Sequence, residues 1–102
     1  MKPKVISSIA LSELRSQSVR VSTDIDILGA SMQNDELIIT ILGSETEFST
    51  ILHISILYDG QTANCYFLKR FKYLITISTT LHNKPILAHV FYEIEFGYFK
   101  ET

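Results

Sequence analysis

Alternation of apolar and polar residues at every second position constrains the fold of this chain more than any other feature. Between residues 19 and 27, the odd positions hold Val, Val, Thr, Ile and Ile, whereas the even positions hold Arg, Ser, Asp and Asp. Successive side chains of a β-strand point to opposite faces, so this pattern predicts a half-buried strand. The segment 89–98 repeats the pattern and assigns five residues to the core: Val90, Tyr92, Ile94, Phe96 and Tyr98.

The segments between these two strands are typical of further strands separated by turns. Residues 37–42 are apolar on both faces and predict a central strand, while 51–58 and 73–81 alternate. Asp59-Gly60 is the strongest hairpin signal, because a type I′ turn needs a positive φ that Gly adopts at little cost. We therefore expect a return strand over residues 64–68.

The N-terminal segment 4–16 is compatible with two structures. Ile6, Ile9 and Leu14 fall near helical spacing, whereas Ile9 and Leu11 alternate as in a strand. The pattern alone leaves helix and strand equally open.

We predict that residues 1–102 form a single, mainly β domain. It has about six antiparallel strands, arranged as a sheet, a sandwich or a partly open barrel, with at most a short N-terminal helix. A length of 102 residues suits one core, and 46% hydrophobic with 20% charged residues is an ordinary globular composition.

Charge and cysteine content exclude several classes of protein. A formal net charge of −2 is unsuited to a domain that coats a phosphate backbone. Positions 21–68 contain seven acidic residues and no Lys or Arg. This distribution arises either by chance or because an acidic face meets a partner or a second copy. Cys65 is the only cysteine, so an internal disulfide and a cysteine-based zinc site are excluded.

The sequence contains neither a membrane-span pattern nor a signal-peptide pattern. No window approaches the ~20 consecutive apolar residues of a membrane span. The N-terminal apolar run is shorter than the apolar region of a signal peptide and lacks a cleavage-site pattern. We therefore expect a cytoplasmic protein that does not contact a membrane.

No catalytic motif of known spacing occurs, whether G-x-S-x-G, P-loop, G-x-G-x-x-G or H-E-x-x-H. We therefore predict a protein without enzyme activity, cofactor or metal. The catalytic alternative is a small enzyme that pairs His53 or His89 with Glu93 or Glu95, because imidazole titrates near neutral pH.

Two groups of residues are candidates for contact with a partner. Lys69, Arg70 and Lys72 form a short basic stretch around an aromatic residue. Such a stretch has the ingredients of a single-stranded nucleic-acid site, but in an acidic protein a charged turn or strand edge is the better interpretation. On the last strand, alternation places aromatic residues beside charges on the outer face: Phe91, Glu93, Glu95 and Phe99. Exposed aromatic residues beside charges are typical of protein interfaces.

A strand at 74–78, a polar loop at 82–85, a strand at 88–96 and the turn Gly97-Tyr98-Phe99 follow one another in the C-terminal part. This order resembles part of the SecB-type export chaperones, and residues 9–14 are similar to the first strand of that family. The resemblance implies binding of extended protein chains, and it carries over by position only to Gly97, Tyr98 and Phe99. The family helices after this turn have no counterpart here, and the strands within 36–68 are additional.

These observations predict a non-catalytic protein-binding module. It is a small adaptor, an inhibitor or a chaperone-like binder that acts through the aromatic and charged face of its last strand. The alternative is a structural subunit of a homo-oligomer or of a phage-like assembly. The expected partner is therefore another protein chain or a second copy of this one, and nucleic acid is not expected.

Overall fold

The computed structural model describes residues 3–22, 24–44 and 50–96, and these residues form seven strands and one short helix. The elements are β1 (Val5–Leu11), β2 (Gln17–Val21), β3 (Asp26–Gln33), β4 (Glu36–Gly43), β5 (Thr50–Tyr58), α1 (Cys65–Arg70), β6 (Lys72–Leu81) and β7 (Lys84–Glu95). The predicted mainly β class is confirmed, with seven strands where the sequence indicates about six.

The strands form two antiparallel sheets that share one core. The three-stranded sheet has the order β1-β4-β3, and the four-stranded sheet has the order β2-β5-β7-β6. Each sheet contributes buried aliphatic side chains to a single hydrophobic cluster. Ile39 of β4, Leu52 of β5 and Val90 of β7 are fully buried in it. Removing these side chains from water is the main force that holds the two sheets together.

Two hairpins have turns with left-handed backbone. Asn34 and Asp35 join β3 to β4 with φ angles of 51° and 65°, and His82 and Asn83 join β6 to β7 with φ angles of 53° and 64°. Positive φ at both central residues defines a type I′ turn, whose twist matches that of paired strands. Asn and Asp adopt this conformation more readily than other residues with a Cβ atom.

The hairpin predicted at Asp59-Gly60 is wrong, although a turn does occur there. Gly60 has a φ of 95°, but the chain continues into a loop and then into α1 instead of a return strand. The side chain of Asn64 caps α1, because its Oδ1 accepts a 2.9 Å hydrogen bond from the backbone N–H of Phe67. An N-cap Asn satisfies a free helical N–H, and this signal outweighs the β propensity of the aromatic residues that follow.

The N-terminal segment is a strand. Residues Val5–Leu11 pair along their whole length with β4, from Val5 opposite Gly43 to Leu11 opposite Leu37. The only helix of the described residues lies between β5 and β6 instead. Pairing with the central strand of a sheet therefore determines the secondary structure of this segment, whose local sequence pattern is ambiguous.

The predicted core position of Phe96 is also wrong, since this residue is 63% exposed. The strand β7 ends at Glu95, which is the last residue opposite β5, so alternation no longer aims Phe96 into the core. The predicted core position is confirmed for Val90, which is buried, and for Ile94, which packs against the core. Tyr98 and the turn Gly97-Tyr98-Phe99 lie outside the described residues.

The segment before β3 packs closely on β4 at Gly43. A Cβ atom at this position would collide with the Ser22 hydroxyl and would lie 3.0 Å from Cγ2 of Ile25. Beside it, the Asp24 carboxylate accepts hydrogen bonds from the backbone N–H and the hydroxyl of Ser44, at 3.2 and 3.1 Å. These contacts fix the chain just before residues 25–27, which form one wall of the site described next.

Candidate functional site

A cleft of about 530 Å³ opens where the end of β7 passes beyond β6. The pairing of β6 with β7 begins at Lys72 opposite Tyr92, so β6 provides no neighbour for β7 after Tyr92. The last turn of α1 and residues 25–27 line the space on this side of β7, while its other side stays paired with β5. Besides Asp26, six lining residues carry polar, charged or aromatic groups: Lys69, Arg70, Lys72, Tyr92, Glu93 and Phe96.

A two-pronged ion pair joins the helix to the sheet inside the cleft. Nε and Nη2 of Arg70 donate hydrogen bonds of 2.9 and 2.7 Å to the two carboxylate oxygens of Glu93. The hydrogen bond from Arg70 lowers the pKa of Glu93, with a further contribution from the nearby His53. The same bond raises the pKa of Arg70. Such fork-shaped pairing fixes orientation as well as charge, so it holds α1 against β7.

The other two cations of the cleft are not neutralised in the part of the chain that the structure describes. No carboxylate of these residues lies within ion-pair distance of Lys69 or Lys72. The remaining acid of the cleft wall, Asp26, lies 3.5 Å from the ammonium group of Lys4. The cleft therefore presents ammonium groups beside the exposed ring of Phe96.

Phe91 lies outside the cleft, under the other end of α1. Its ring makes edge contacts with Phe67 at 5.1 Å and with Tyr73 at 5.8 Å between ring centroids, and it is half-buried. Phe67 in turn stacks on Phe71 at 4.6 Å. The helix therefore covers the aromatic part of the outer face, and Phe91 serves to anchor it.

Glu95 takes part in a hydrogen-bonded chain across three strands. The carboxylate of Glu95 accepts a 2.6 Å hydrogen bond from Nε2 of His53, and Nδ1 of His53 lies 2.7 Å from the Ser18 hydroxyl. Because a carboxylate only accepts, Nε2 of His53 donates to Glu95, while the donor between Nδ1 and the Ser18 hydroxyl depends on whether the ring carries a second proton. The chain ties β2, β5 and β7 together on the outer face, where His53 is 26% exposed.

A second chain of the same kind lies at the opposite end of the sheet. His89 donates from Nε2 to the Asp59 carboxylate at 2.6 Å, and its Nδ1 lies 2.9 Å from the Thr76 hydroxyl. The Thr76 hydroxyl lies 2.6 Å from that of Tyr73. Asp59, which the sequence suggests as a hairpin residue, thus anchors the loop after β5 to β7 and β6.

An acid, an imidazole and a hydroxyl in series are also the components of a hydrolase triad. In such an enzyme they activate the hydroxyl, and further donors stabilise the oxyanion of the intermediate. In the first chain, Ser18, His53 and Glu95 lie on the adjacent strands β2, β5 and β7, and each hydrogen bond joins two of these strands. Within residues 3–22, 24–44 and 50–96, no three His, Cys, Asp or Glu side chains group so as to hold a metal ion.

The acidic residues of the central part do not form one face. Asp24 and Asp26 lie at the start of β3, whereas Asp35 and Glu36 lie at its far end. An eight-residue strand separates the two groups by roughly 25 Å. Asp59 lies in the turn after β5 of the opposite sheet, and Glu45 and Glu47 lie outside the described residues.

The structure brings together four of the seven residues singled out from the sequence. Lys69, Arg70, Lys72 and Glu93 share the cleft, whereas Phe91 and Glu95 lie elsewhere on the outer face, and Phe99 lies outside the described residues. Sequence reasoning missed the exposed Phe96 and the contribution of residues 25–27, which adjoin β7 only through the packing of the two sheets.

Comparison with protein-family models, with curated proteins and with solved structures finds no match to this chain. No helix of the described residues has the length and apolar character needed to cross a membrane.

Proposed function

We propose that this chain is a non-catalytic protein-binding module whose cleft takes an acidic segment of a partner protein. The observation that carries the proposal is the pairing of two ammonium groups, Lys69 and Lys72, with the exposed ring of Phe96 in one cleft. Carboxylates of a partner complement the ammonium groups, and an apolar side chain beside them covers the ring.

The ion pair between Arg70 and Glu93 supports this proposal as a positioning element. It fixes the end of α1 against β7, so Lys69 and Lys72 are presented from a defined place. Both Lys69 and Arg70 lie in the last helical turn, where cations also interact favourably with the backbone carbonyls. A partner that binds here does not have to order the helix first.

The charges of the cleft favour a protein partner over nucleic acid. Glu93 and Asp26 line the same space as the lysines, so the cleft is a surface of mixed charge and not the continuous basic surface that a phosphate backbone favours. The charge of a peptide varies from residue to residue, so a peptide can place acidic residues beside the lysines and uncharged residues beside Glu93 and Asp26. Chaperone-like binding of extended chains, which the resemblance to SecB-type chaperones suggests, is a broader form of the same activity, and it would not require acidic residues in the bound segment.

A short peptide with one tryptophan tests the proposal directly. The protein contains no Trp, so selective excitation reports on the peptide alone. We expect a peptide of Glu and Asp residues around a central Trp to show saturable binding by fluorescence anisotropy, with weaker binding at high salt. The matched peptide with Lys in place of each acid should not bind.

Variants locate the binding. The double variant Lys69→Ala with Lys72→Ala should lower the affinity for the acidic peptide about ten-fold or more, because each lost charge pair contributes roughly 1 kcal/mol to binding. Lys84→Ala, at the other end of β7, removes one exposed charge outside the cleft and should leave binding unchanged. Equal binding of both peptides would favour the broader chaperone-like activity. Tighter binding of a single-stranded oligonucleotide would contradict the proposal.

A further inference from the structure

The four outer strands of the two sheets differ in how their free edges are protected. A free edge exposes unpaired backbone N–H and C=O groups, and proteins protect it with bulges, charges, proline or short length. The strand β3 has an irregularity between Ile27 and Gly29, and β6 has one between Tyr73 and Ile75. The strand β2 is five residues long and carries the charged Arg20.

The strand β1 has none of these protections within its length. It pairs with β4 without a bulge, and its seven residues include neither a charge nor a proline. It is also unusually exposed for an aliphatic strand, since Val5 is 38% and Ile6 is 66% exposed. Of the strands in the described residues, β4 alone pairs with it.

The outer face of the three-stranded sheet continues this uncharged surface. Residues opposite one another in a sheet point to the same face, so Ile6 lies beside Leu42, Ser8 beside Thr40 and Ala10 beside Ile38. Along these three rows β1 and β4 carry no charge, and on β3 the residue opposite Leu42 is Asp26, which pairs with Lys4 at 3.5 Å.

We infer that β1 pairs with β1 of a second copy of this chain, in antiparallel orientation about a two-fold axis at Ser8. The two three-stranded sheets then form one continuous six-stranded sheet. An interface of this kind is isologous, because the same residues contact one another from both sides.

The side chains of β1 fit this self-pairing. With Ser8 opposite Ser8 of the second copy, Ile6 lies opposite the small Ala10, which leaves room for Ile6 and covers its exposed surface. The register also places Lys4 next to Ser12 and Glu13 of the second copy. Within one chain Lys4 already contacts Asp26 and Glu13 contacts Arg15, both as exposed pairs. Antiparallel pairing therefore brings two ends of mixed charge together, whereas parallel pairing would place two lysines side by side.

The proposed dimer edge and the cleft share one connection, the exposed ion pair of Lys4 with Asp26 of the cleft wall, and no variant used below alters either residue. The strand β1 lies at one edge of the three-stranded sheet, and β3, which leads from the cleft wall, lies at the other. The experiments on peptide binding and on assembly can therefore fail separately.

Sedimentation equilibrium of the full chain over a wide concentration range tests the inference. We expect the wild-type chain to reach twice the mass of a single chain. Ser8→Lys and Ser8→Glu each place like charges opposite one another at the axis, so each should weaken dimerisation about ten-fold or more. An equimolar mixture of the two variants should restore the dimer, because Lys then faces Glu.

Ser31→Lys is the matched control, since Ser31 is exposed on the same face but on β3. It should dimerise like the wild type, and circular dichroism should be unchanged for all variants. A wild-type chain that stays monomeric overturns the inference. Dimers that persist in folded Ser8→Lys, or a mixture of the two variants that stays monomeric, overturn it as well.

Discussion

The outer faces of the two sheets differ in how their surface groups are satisfied. On the four-stranded sheet, α1 covers Phe91, and two histidine-centred chains join neighbouring strands. On the three-stranded sheet, no helix of the described residues lies above Ser8 and Thr40, and the Lys4–Asp26 ion pair lies at one end of the face. The strands beneath both faces pack into the same core.

This difference indicates where binding energy is still available. A face whose polar groups already bond to one another and whose rings are covered by a helix gains little from a partner, except where the cleft leaves Lys69, Lys72 and Phe96 open. An unprotected edge beside an uncharged face gains backbone hydrogen bonds and apolar contact at the same time. The two proposals therefore concern different parts of the molecule.

The largest loss of stability is expected from substitutions in the core that both sheets share. Ile39→Ala in the three-stranded sheet and Leu52→Ala in the four-stranded sheet each remove a side chain that is 0% exposed. Each should lower the free energy of unfolding by about 2–5 kcal/mol. Urea unfolding followed by circular dichroism should remain a single transition in both. Two separate transitions would show that the sheets unfold independently and would contradict a shared core.

The second largest effect concerns the attachment of α1. Phe91→Ala removes the ring that contacts Phe67 and Tyr73, and it should lower the free energy of unfolding by roughly 2 kcal/mol, since the ring is only half-buried. Tyr66→Ala is the control on the same helix, because Tyr66 is 75% exposed. It should change the free energy of unfolding by less than about 0.5 kcal/mol. Equal effects of the two variants would mean that α1 is not anchored through Phe91.

Alternation identifies most of β7, because its outer face carries charges and its inner face carries Val, Ile and Tyr, and the doubly apolar run at 37–42 identifies the central strand β4. The single strand predicted over 19–27 is wrong, because β2 ends at Val21 and β3 begins at Asp26 in the other sheet. Alternation continues across the break, so it does not show where the chain passes from one sheet to the other. It fails for α1, where Cys65–Arg70 contains apolar residues without a wet face of period two. Only the cap residue Asn64 indicates a helix there.

The cleft is less predictable because it depends on contacts distant in sequence. The basic group at 69–72 and the acid Glu93 are visible as charges, but the pairing of Arg70 with Glu93 follows from where β6 begins. The wall at 25–27 belongs to the other sheet. Sequence periodicity contains no information on which end of one sheet adjoins which end of the other.

A third, smaller effect is expected when a serine on each face is changed to alanine, because the two changes should lower the free energy of unfolding by different amounts. Ser18→Ala removes the hydroxyl bonded to His53 on the four-stranded sheet and should cost about 1 kcal/mol of unfolding free energy. Ser8→Ala removes an exposed hydroxyl on the three-stranded sheet and should cost less than about 0.5 kcal/mol at the same chain concentration. Equal costs would show that the chain from Ser18 to Glu95 does not stabilise its strands.

The same serine permits a test of the non-catalytic proposal. A fluorophosphonate reacts with serine hydroxyls that an imidazole activates in a hydrolase site. We expect no labelling of Ser18 by intact-mass spectrometry, since we propose that the hydroxyl only joins β2 to β5 through His53. Labelling that disappears in both Ser18→Ala and His53→Ala would instead support the catalytic alternative.

The smallest effect is a change in the pH dependence of stability. The hydrogen bond from Arg70 holds the pKa of Glu93 below its ordinary value of 4.5 in the folded chain. The unfolded chain therefore binds the proton of Glu93 more tightly, and this group stabilises the fold above about pH 4.5. That contribution is lost as the pH falls through the lower, folded pKa. Glu93→Gln, which cannot ionise, should flatten the decline in stability over this acidic range.

Asp24 provides the matched comparison at the other end of the cleft wall. The hydrogen bond from the backbone N–H of Ser44 lowers the pKa of Asp24 from its ordinary value of 3.8, so Asp24→Asn should flatten the decline at somewhat lower pH. Because the two carboxylates have different partners, the effects should add in the double variant. Urea midpoints measured between pH 2 and 6 are the readout. A Glu93→Gln curve parallel to that of the wild type throughout this range would mean that the Arg70 pair does not stabilise the folded chain.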